Sequence, residues 1–571
     1  MGNEVAMKRA IACTTATVLA AASAWAASLD DIGLAVKLQG YRATKRACAQ
    51  FMAQVLPEYR QNMPDGWLTS ALGGGGVESI DQQGEYYLLL LQTPQAVASV
   101  LIVPLVSSDY FLDSLRGSLG PENQLGGTFV FTEQVPLQGG GHAERSLHAR
   151  LAGRTAIISE DRSACEGAAS LHEKGGLKLL FEKASSSLIQ VRAKGSFVAR
   201  HSDSICTWAL GMPLTGMVMA GSPDLAGWLQ FHLANVLAAA EQAEEIYIGL
   251  APRPSGLTLQ LTVFPCANTP LAIFLAQQKP MRGSLLSMIP GEPVFAAAGR
   301  VESLAELEAA YPEHAAQQAV FAQSLGRPAG NPASVRKREA ERLSRFRSVF
   351  AGSFAAALVQ PPLDAYSHDY LRAYEVADLD RAKENIAWEM STWKTADGAA
   401  AVAIDEAEHA GCSIYTWQIK RPRPAVDKLP LPDYTCAAFT DKYMLLASGA
   451  GARNNIRKMI DLCRNKSDAA VNRKGPFVKA FAGAGGKTAA PRRPAAVLFF
   501  SLTGAFNLIS HSGKPAMENL RMVQAPAGVA AWIVPQKDGS LSVTVHIPVE
   551  ELTEPRKTIL GDLPLLELPA N

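Results

Sequence analysis

The side chains best suited to chemistry gather in a few short stretches. Asp405-Glu406-Ala407-Glu408-His409 holds three carboxylates and an imidazole within five residues, and on a helix Asp405 and His409 would share one face. Two such groups fall short of a catalytic zinc centre, which takes three protein ligands around an open position. The tight pair of a H-E-x-x-H helix is missing as well, so the stretch reads as a solvated acidic turn. Tyr366-Ser367-His368-Asp369-Tyr370 sets a serine, a histidine and an aspartate side by side. A nucleophilic triad needs those three to converge in one hydrogen-bonded line, whereas neighbours in sequence diverge from the backbone. No G-x-S-x-G elbow is present, and the segment reads as a polar turn.

Glycine-rich stretches fail in the same way. Gly483-Ala484-Gly485-Gly486-Lys487-Thr488 ends like a phosphate-binding loop, but Phe481 stands where the leading glycine belongs. Ala489-Ala490-Pro491 is a poor opening for the helix such a loop requires, so 483–494 is expected to be a flexible surface loop. Gly449-Ala450-Gly451 has Asn454 in place of the third glycine of a dinucleotide fingerprint, and reads as a turn before a helix. Nothing near Gly73-Gly74-Gly75-Gly76 supplies phosphate chemistry. No metal, nucleotide or other cofactor is expected.

A basic helix is the most distinctive candidate. Between Val335 and Phe350 it carries Arg336, Lys337, Arg338, Arg342, Arg345 and Arg347 against Glu339 and Glu341. Leu343, Phe346, Phe350 and Phe354 recur at steps of three and four, which gives one apolar stripe and an opposite basic face. Such a helix either packs on a core with its basic face solvated or rests on an anionic surface. Arg338, Arg342 and Arg345 are the candidate binding residues. The partners they suggest are an envelope polymer, lipid headgroups or another envelope protein.

The elements that must position these groups begin with an address. Lys8-Arg9, the apolar run from Ala10 to Ala22 and the small residues Ala24 and Ala26 have the three parts of a cleavable secretory signal. The run is too short for a bilayer span, so cleavage after Ala26 is expected, with no transmembrane span left. Losing Glu4, Lys8 and Arg9 takes Lys plus Arg from 54 to 52 and Asp plus Glu from 53 to 52. A neutral chain lacks the basic excess that drives nucleic-acid binding, and no such partner is expected. Cys48, Cys165, Cys206, Cys266, Cys412, Cys436 and Cys463 remain, with no C-x-x-C pair, so buried thiols with at most two bridges are expected.

The 571 residues, 48% of them hydrophobic and 19% charged, exceed what one core organises, so at least two domains are expected. The chain also matches itself weakly, in order. The hairpin-then-helix pattern of Ala149–Ser159 returns at Cys436–Ser448, and Leu188–Phe197 returns at Val497–Phe506. Ile246–Phe264 likewise returns at Ala531–Ile547, with alternating apolar and polar positions that bury one sheet face. Helices are expected at Leu29–Leu56, Ser222–Glu244, Leu304–Gln323, Ser334–Val359 and Asp380–Trp393. The uncharged run Tyr86–Val106, interrupted by Gln92-Thr93-Pro94-Gln95, reads as a buried hairpin rather than a membrane helix. The expected fold is α+β: two weakly related units, each a mainly antiparallel curved sheet with helices packed on one face. Its parts are a signal peptide at 1–26, a first unit at 27–278, a second at 279–550 with a helical insertion and the 483–494 loop, and a tail at 551–571.

These readings converge on an exported, non-enzymatic binding or structural protein of the cell envelope, periplasmic or extracellular. Its ligand, oligomeric state and disulfide pairing stay open. The alternative is an exported hydrolase whose site assembles from dispersed polar residues such as His368, Asp369, Asp405 and His409. A deep pocket with convergent, hydrogen-bonded polar groups would mark the enzyme, and a broad apolar groove the binding protein.

Overall fold

The computed structural model describes residues 29, 31–55, 77–92, 96–136, 142–184, 186–202, 204, 237–281, 284–303, 332–359, 369–393, 398–420, 434–465, 470–472, 475–485, 494–501, 504 and 528–553. Their elements are α+β, with twenty strands in antiparallel sheet. Two compact units emerge: the described parts of Met1–Ala49, Gln61–Phe197 and Tyr247–Leu250 form one, and the remainder forms the other.

The first unit opens with β1 (Ile32–Gln39), α1 (Tyr41–Val55) as far as Ala49, β2 (Glu85–Gln92), β3 (Val97–Pro104) and α2 (Ser108–Leu119). It continues through β4 (Asn123–Leu125), β5 (Thr128–Pro136), β6 (His142–Ala152), β7 (Thr155–Ser159), α3 (Arg162–Glu173), α4 (Gly176–Leu179), β8 (Ile189–Lys194) and α5 (Gly195–Arg200) as far as Phe197. Hydrogen bonding orders its strands β4-β5-β6-β7-β3-β2-β1-β8. Leu29–Leu56 is therefore not one helix. Ile32, Leu34, Val36 and Leu38 alternate with polar or small neighbours, which suits a strand paired on both sides, and Gly40 at φ 78° turns the chain into α1.

The second unit receives β9 (Ala243–Arg253) in part and β10 (Gly256–Pro265), α6 (Pro270–Gln277), β11 (Pro293–Arg300), α7 (Pro332–Arg347), β12 (Phe350–Val359) and β13 (Asp369–Val376). There follow α8 (Leu379–Thr392), β14 (Ala400–His409), β15 (Cys412–Lys420), β16 (Tyr434–Phe439), β17 (Tyr443–Gly449) and α9 (Ala452–Arg464). The last elements are α10 (Pro476–Gly485), β18 (Ala496–Phe500), β19 (Val529–Pro535) and β20 (Leu541–Pro548). Its strands run β14-β15-β16-β17-β13-β12-β11-β18-β19-β20-β10.

Helices cover both faces of each sheet, where one face was expected. In the first unit Tyr87, Leu89 and Leu91 pack with Ala164, Cys165 and Ala168 of α3, while Tyr86, Leu101 and Val103 pack on the other face with Phe111, Leu112 and Leu115 of α2. In the second, Leu371 and Ala373 join Ile456, Met459 and Ile460 of α9, and Met444 and Leu446 join Ile386 and Met390 of α8. The central strands are apolar at successive positions, so both faces must leave water. At about 1.5–3 kcal/mol for each large aliphatic side chain, either layer alone contributes heavily.

Three further expectations shift. The helix expected over Ser334–Val359 stops at Arg347, and Phe350–Val359 crosses the sheet as β12 between β11 and β13. Its alanines, good helix formers, serve as small residues between two partners, and Phe354 leaves the helical stripe. Gly483–Gly485 end α10 rather than opening a loop, 486–493 lying outside the described residues. Glu551, placed in a tail, is fully buried in the helical turn after β20.

Tyr86–Val106 forms the paired strands β2 and β3, and no helix among the described residues is long and apolar enough to cross a membrane. The expected helix at 304–323, most of that at 222–244, the glycine run at 73–76, and residues 1–26 lie outside the described residues.

Candidate functional site

In the second unit α7 and α8 lie over the same face of the sheet, and a cleft of about 180 Å³ opens between them and β13 and β17. Asp378 starts α8 by accepting the Arg381 N–H on its side chain, as an N-cap should. Ala382, Ile386 and Met390 then recur at four-residue steps and anchor the helix on Met444 and Leu446. α7 is tied to its neighbour by polar bonds: Asn385 Nδ2 donates to the Arg345 carbonyl at 2.8 Å, and Arg338 Nη1 to the Thr392 carbonyl at 3.3 Å. Phe346 stacks on Phe350 at 5.2 Å between centroids and meets the edge of Tyr374 at 5.1 Å.

Three guanidiniums line the cleft, those of Arg342, Arg345 and Arg372. Arg345 lies over the Trp388 ring at 4.5 Å and pairs with Glu341 at 3.0 Å. Arg342 Nη1 stands 4.0 Å from Glu389 Oε1. Arg372 comes up from β13 with Tyr370 and Tyr374 on the same strand face, its guanidinium 4.9 Å from the Tyr370 ring. The Nε of Arg372 is shielded from solvent and has no hydrogen-bond partner among the described residues. Burial pushes the Tyr374 phenol above its ordinary range, against the opposing pull of Arg372.

Of the three arginines singled out from the sequence, Arg342 and Arg345 thus line the cleft. Arg338 does not; it clasps the C-terminal end of α8. Arg372 was missed. Its signal was an arginine in the alternation Tyr370-Arg372-Tyr374, on a strand whose other face, Leu371 and Ala373, is wholly buried.

The polar groups of the hydrolase alternative are not brought together. Asp369 is buried and accepts from the Gly451 N–H at 2.9 Å and from Asn455 Nδ2 at 2.7 Å, which fixes the start of α9. Burial raises its carboxyl, and those two hydrogen bonds work against the rise. Asp405 and His409 sit on strand β14 rather than on a turn or helix, roughly 13 Å apart along it. Asp405 pairs with Arg453 at 3.0 Å, and His409 Nε2 with Asp461 Oδ1 at 2.8 Å. Both pairs tie the edge of the sheet to α9. Ser367 and His368 lie outside the described residues. Among the described residues no group of three or more histidine, cysteine or acidic side chains is arranged to hold a metal ion.

No family model, no curated protein and no solved structure matches this chain.

Proposed function

We propose that this chain is an exported, non-enzymatic binding protein of the cell envelope and that the cleft between α7 and α8 is its binding site. The observation that carries the reading is the gathering of Arg342, Arg345 and Arg372 with Trp388 and Tyr374 around one cleft. Guanidinium forks beside aromatic faces are suited to recognising anions. Asp369, Asp405 and His409, by contrast, are each tied to a separate partner on α9. The basic flank of α7, with Lys337 and Arg347 exposed, adds a surface for an envelope polymer, a lipid headgroup or an envelope protein. Export rests on the signal pattern from Lys8 to Ala26.

The same reading takes the two halves as a duplication. In its support, the pairings β1–β2, β1–β8, β2–β3, β3–β7 and β6–β7 recur in the same order as β11–β12, β11–β18, β12–β13, β13–β17 and β16–β17. The strands matched by the repeat from Leu257 and from Leu541 also pair with each other, and Gln260 faces Thr544, its own counterpart. Two copies of one strand laid antiparallel about their midpoint make that register.

The test is purification of the full chain from the envelope fraction of an exporting cell, with its N-terminus sequenced and co-purifying material identified. A start at Ala27 and a bound anionic component are expected. An intact 1–26 segment overturns export, and hydrolase turnover by a protein that retains no ligand overturns the binding reading.

A further inference from the structure

The chemistry of the cleft narrows its ligand, an inference that rests on the binding reading above. Its lining charges and their direct partners do not cancel: Arg342 faces Glu389, Arg345 is held by Glu341, and Arg372 adds a third cation with no carboxylate hydrogen-bonded to it. A guanidinium N–H shielded from solvent with its hydrogen bond unmade is costly, and an anion that accepts from it removes that cost. Beside these charges, Asn385 and Tyr374 stands an apolar wall of Phe346, Val349, Ile386, Met444 and Leu446. A cavity of about 150 Å³ with such walls takes up one benzene ring, so the 180 Å³ here suits a body of that size.

We propose that the cleft binds a small organic monoanion, a carboxylate on a single ring or branched aliphatic body, with the carboxylate at the Arg372 guanidinium and the body against Phe346, Ile386 and Leu446. A polyanion does not fit this arrangement, because one unit of positive charge is left over and the wall beside it is apolar. Inorganic phosphate lacks the apolar body that the walls would cover.

Titration calorimetry on the full chain decides it, with benzoate, its neutral isostere benzamide and inorganic phosphate as probes. Benzoate is expected to bind at one site, at least tenfold more tightly than benzamide, and phosphate not at all. In R372M benzoate should weaken at least tenfold while benzamide changes less than twofold. Should R372M fail to fold, the benzoate-to-benzamide ratio of the unmodified protein still decides. Equal affinity for the two, or binding of phosphate alone, overturns the monoanion. If benzoate fails while vesicles with anionic headgroups or an envelope polymer bind, the monoanion is overturned and the binding reading stands. If none of them binds, both fall.

Discussion

Arg372 is the residue at which stability and binding pull apart. Its guanidinium lies over the Tyr370 ring, but its Nε is buried with its hydrogen bond unmade. Replacing desolvated ionic groups by apolar side chains of similar volume is commonly neutral or stabilising. R372M is therefore expected to raise the unfolding free energy by about 1 kcal/mol, read as a higher urea midpoint at an unchanged slope. A loss of that size would mean that the guanidinium holds the fold together and is not kept for a ligand. The contrast with Asp369 is instructive. Both are charged residues of β13, yet Asp369 satisfies two donors at the start of α9 and Arg372 satisfies no carboxylate. The cations of α7 were legible because they cluster in sequence. Arg372 was not, since what singles it out is a buried Nε with no hydrogen-bond partner among the described residues, which only the fold reveals. The Ser367-His368-Asp369 and Asp405-to-His409 stretches, read as turns, show the complementary case: Asp369, Asp405 and His409 have partners on α9 some 50 to 90 residues further on, which adjacency in sequence conceals.

Elements show why some boundaries were readable. The hairpin-then-helix pattern at Ala149–Ser159 became β6, β7 and α3, because Gly153 at φ 62° permits the turn and Asp161 caps the helix through the Ala164 N–H. The strand β12 was not readable, since Ala355, Ala356 and Ala357 favour a helix locally and only the partners β11 and β13 select extended backbone. One turn carries a cost that a substitution can relieve. β14 and β15 are joined by Ala410 and Gly411, with φ of 50° and 71°, the two positive angles of a type I′ turn. Alanine in the left-handed region costs about 1–2 kcal/mol, and asparagine tolerates it far better. A410N is expected to stabilise the second unit by roughly 0.5–1 kcal/mol, measured as a higher melting temperature, and A410V to lower it. The same hairpin ends the strand order of its unit among the described residues, with Val402 and Ile404 about 40% exposed. Asp405, Glu406 and Glu408 on that strand discourage pairing with another chain.

Across the described residues, burial favours the neutral forms of several cysteines and histidines. Cys48, Cys165, Cys266, Cys412, Cys436 and Cys463 are unpaired, and burial pushes Cys165 up to about 12, so it remains a thiol at any physiological pH. Histidines respond in the opposite direction. His546 is 5% exposed on β20, shares a 3.2 Å hydrogen bond with Thr258 on β10, and is held below the ordinary imidazole value by burial first and by Arg253 second. His148 and His172 in the first unit are lowered by burial as well. A group whose folded pKa is depressed in this way binds its proton later in the folded than in the unfolded chain, so its stabilisation is present above the ordinary value and is lost as pH falls. Between pH 7.5 and 5.5 the urea midpoint should therefore drop. The H546Q variant, whose amide is able to keep a hydrogen bond to Thr258 without taking up a proton, isolates the contribution of β20. Its stability loss over the same interval should be smaller than that of the unmodified chain by up to about 1.4 kcal/mol. An equal loss in both proteins would mean that His546 takes up its proton over the same pH range in the folded and the unfolded chain. The strand pair β10–β20 would then be no more sensitive to acid than the rest of the sheet.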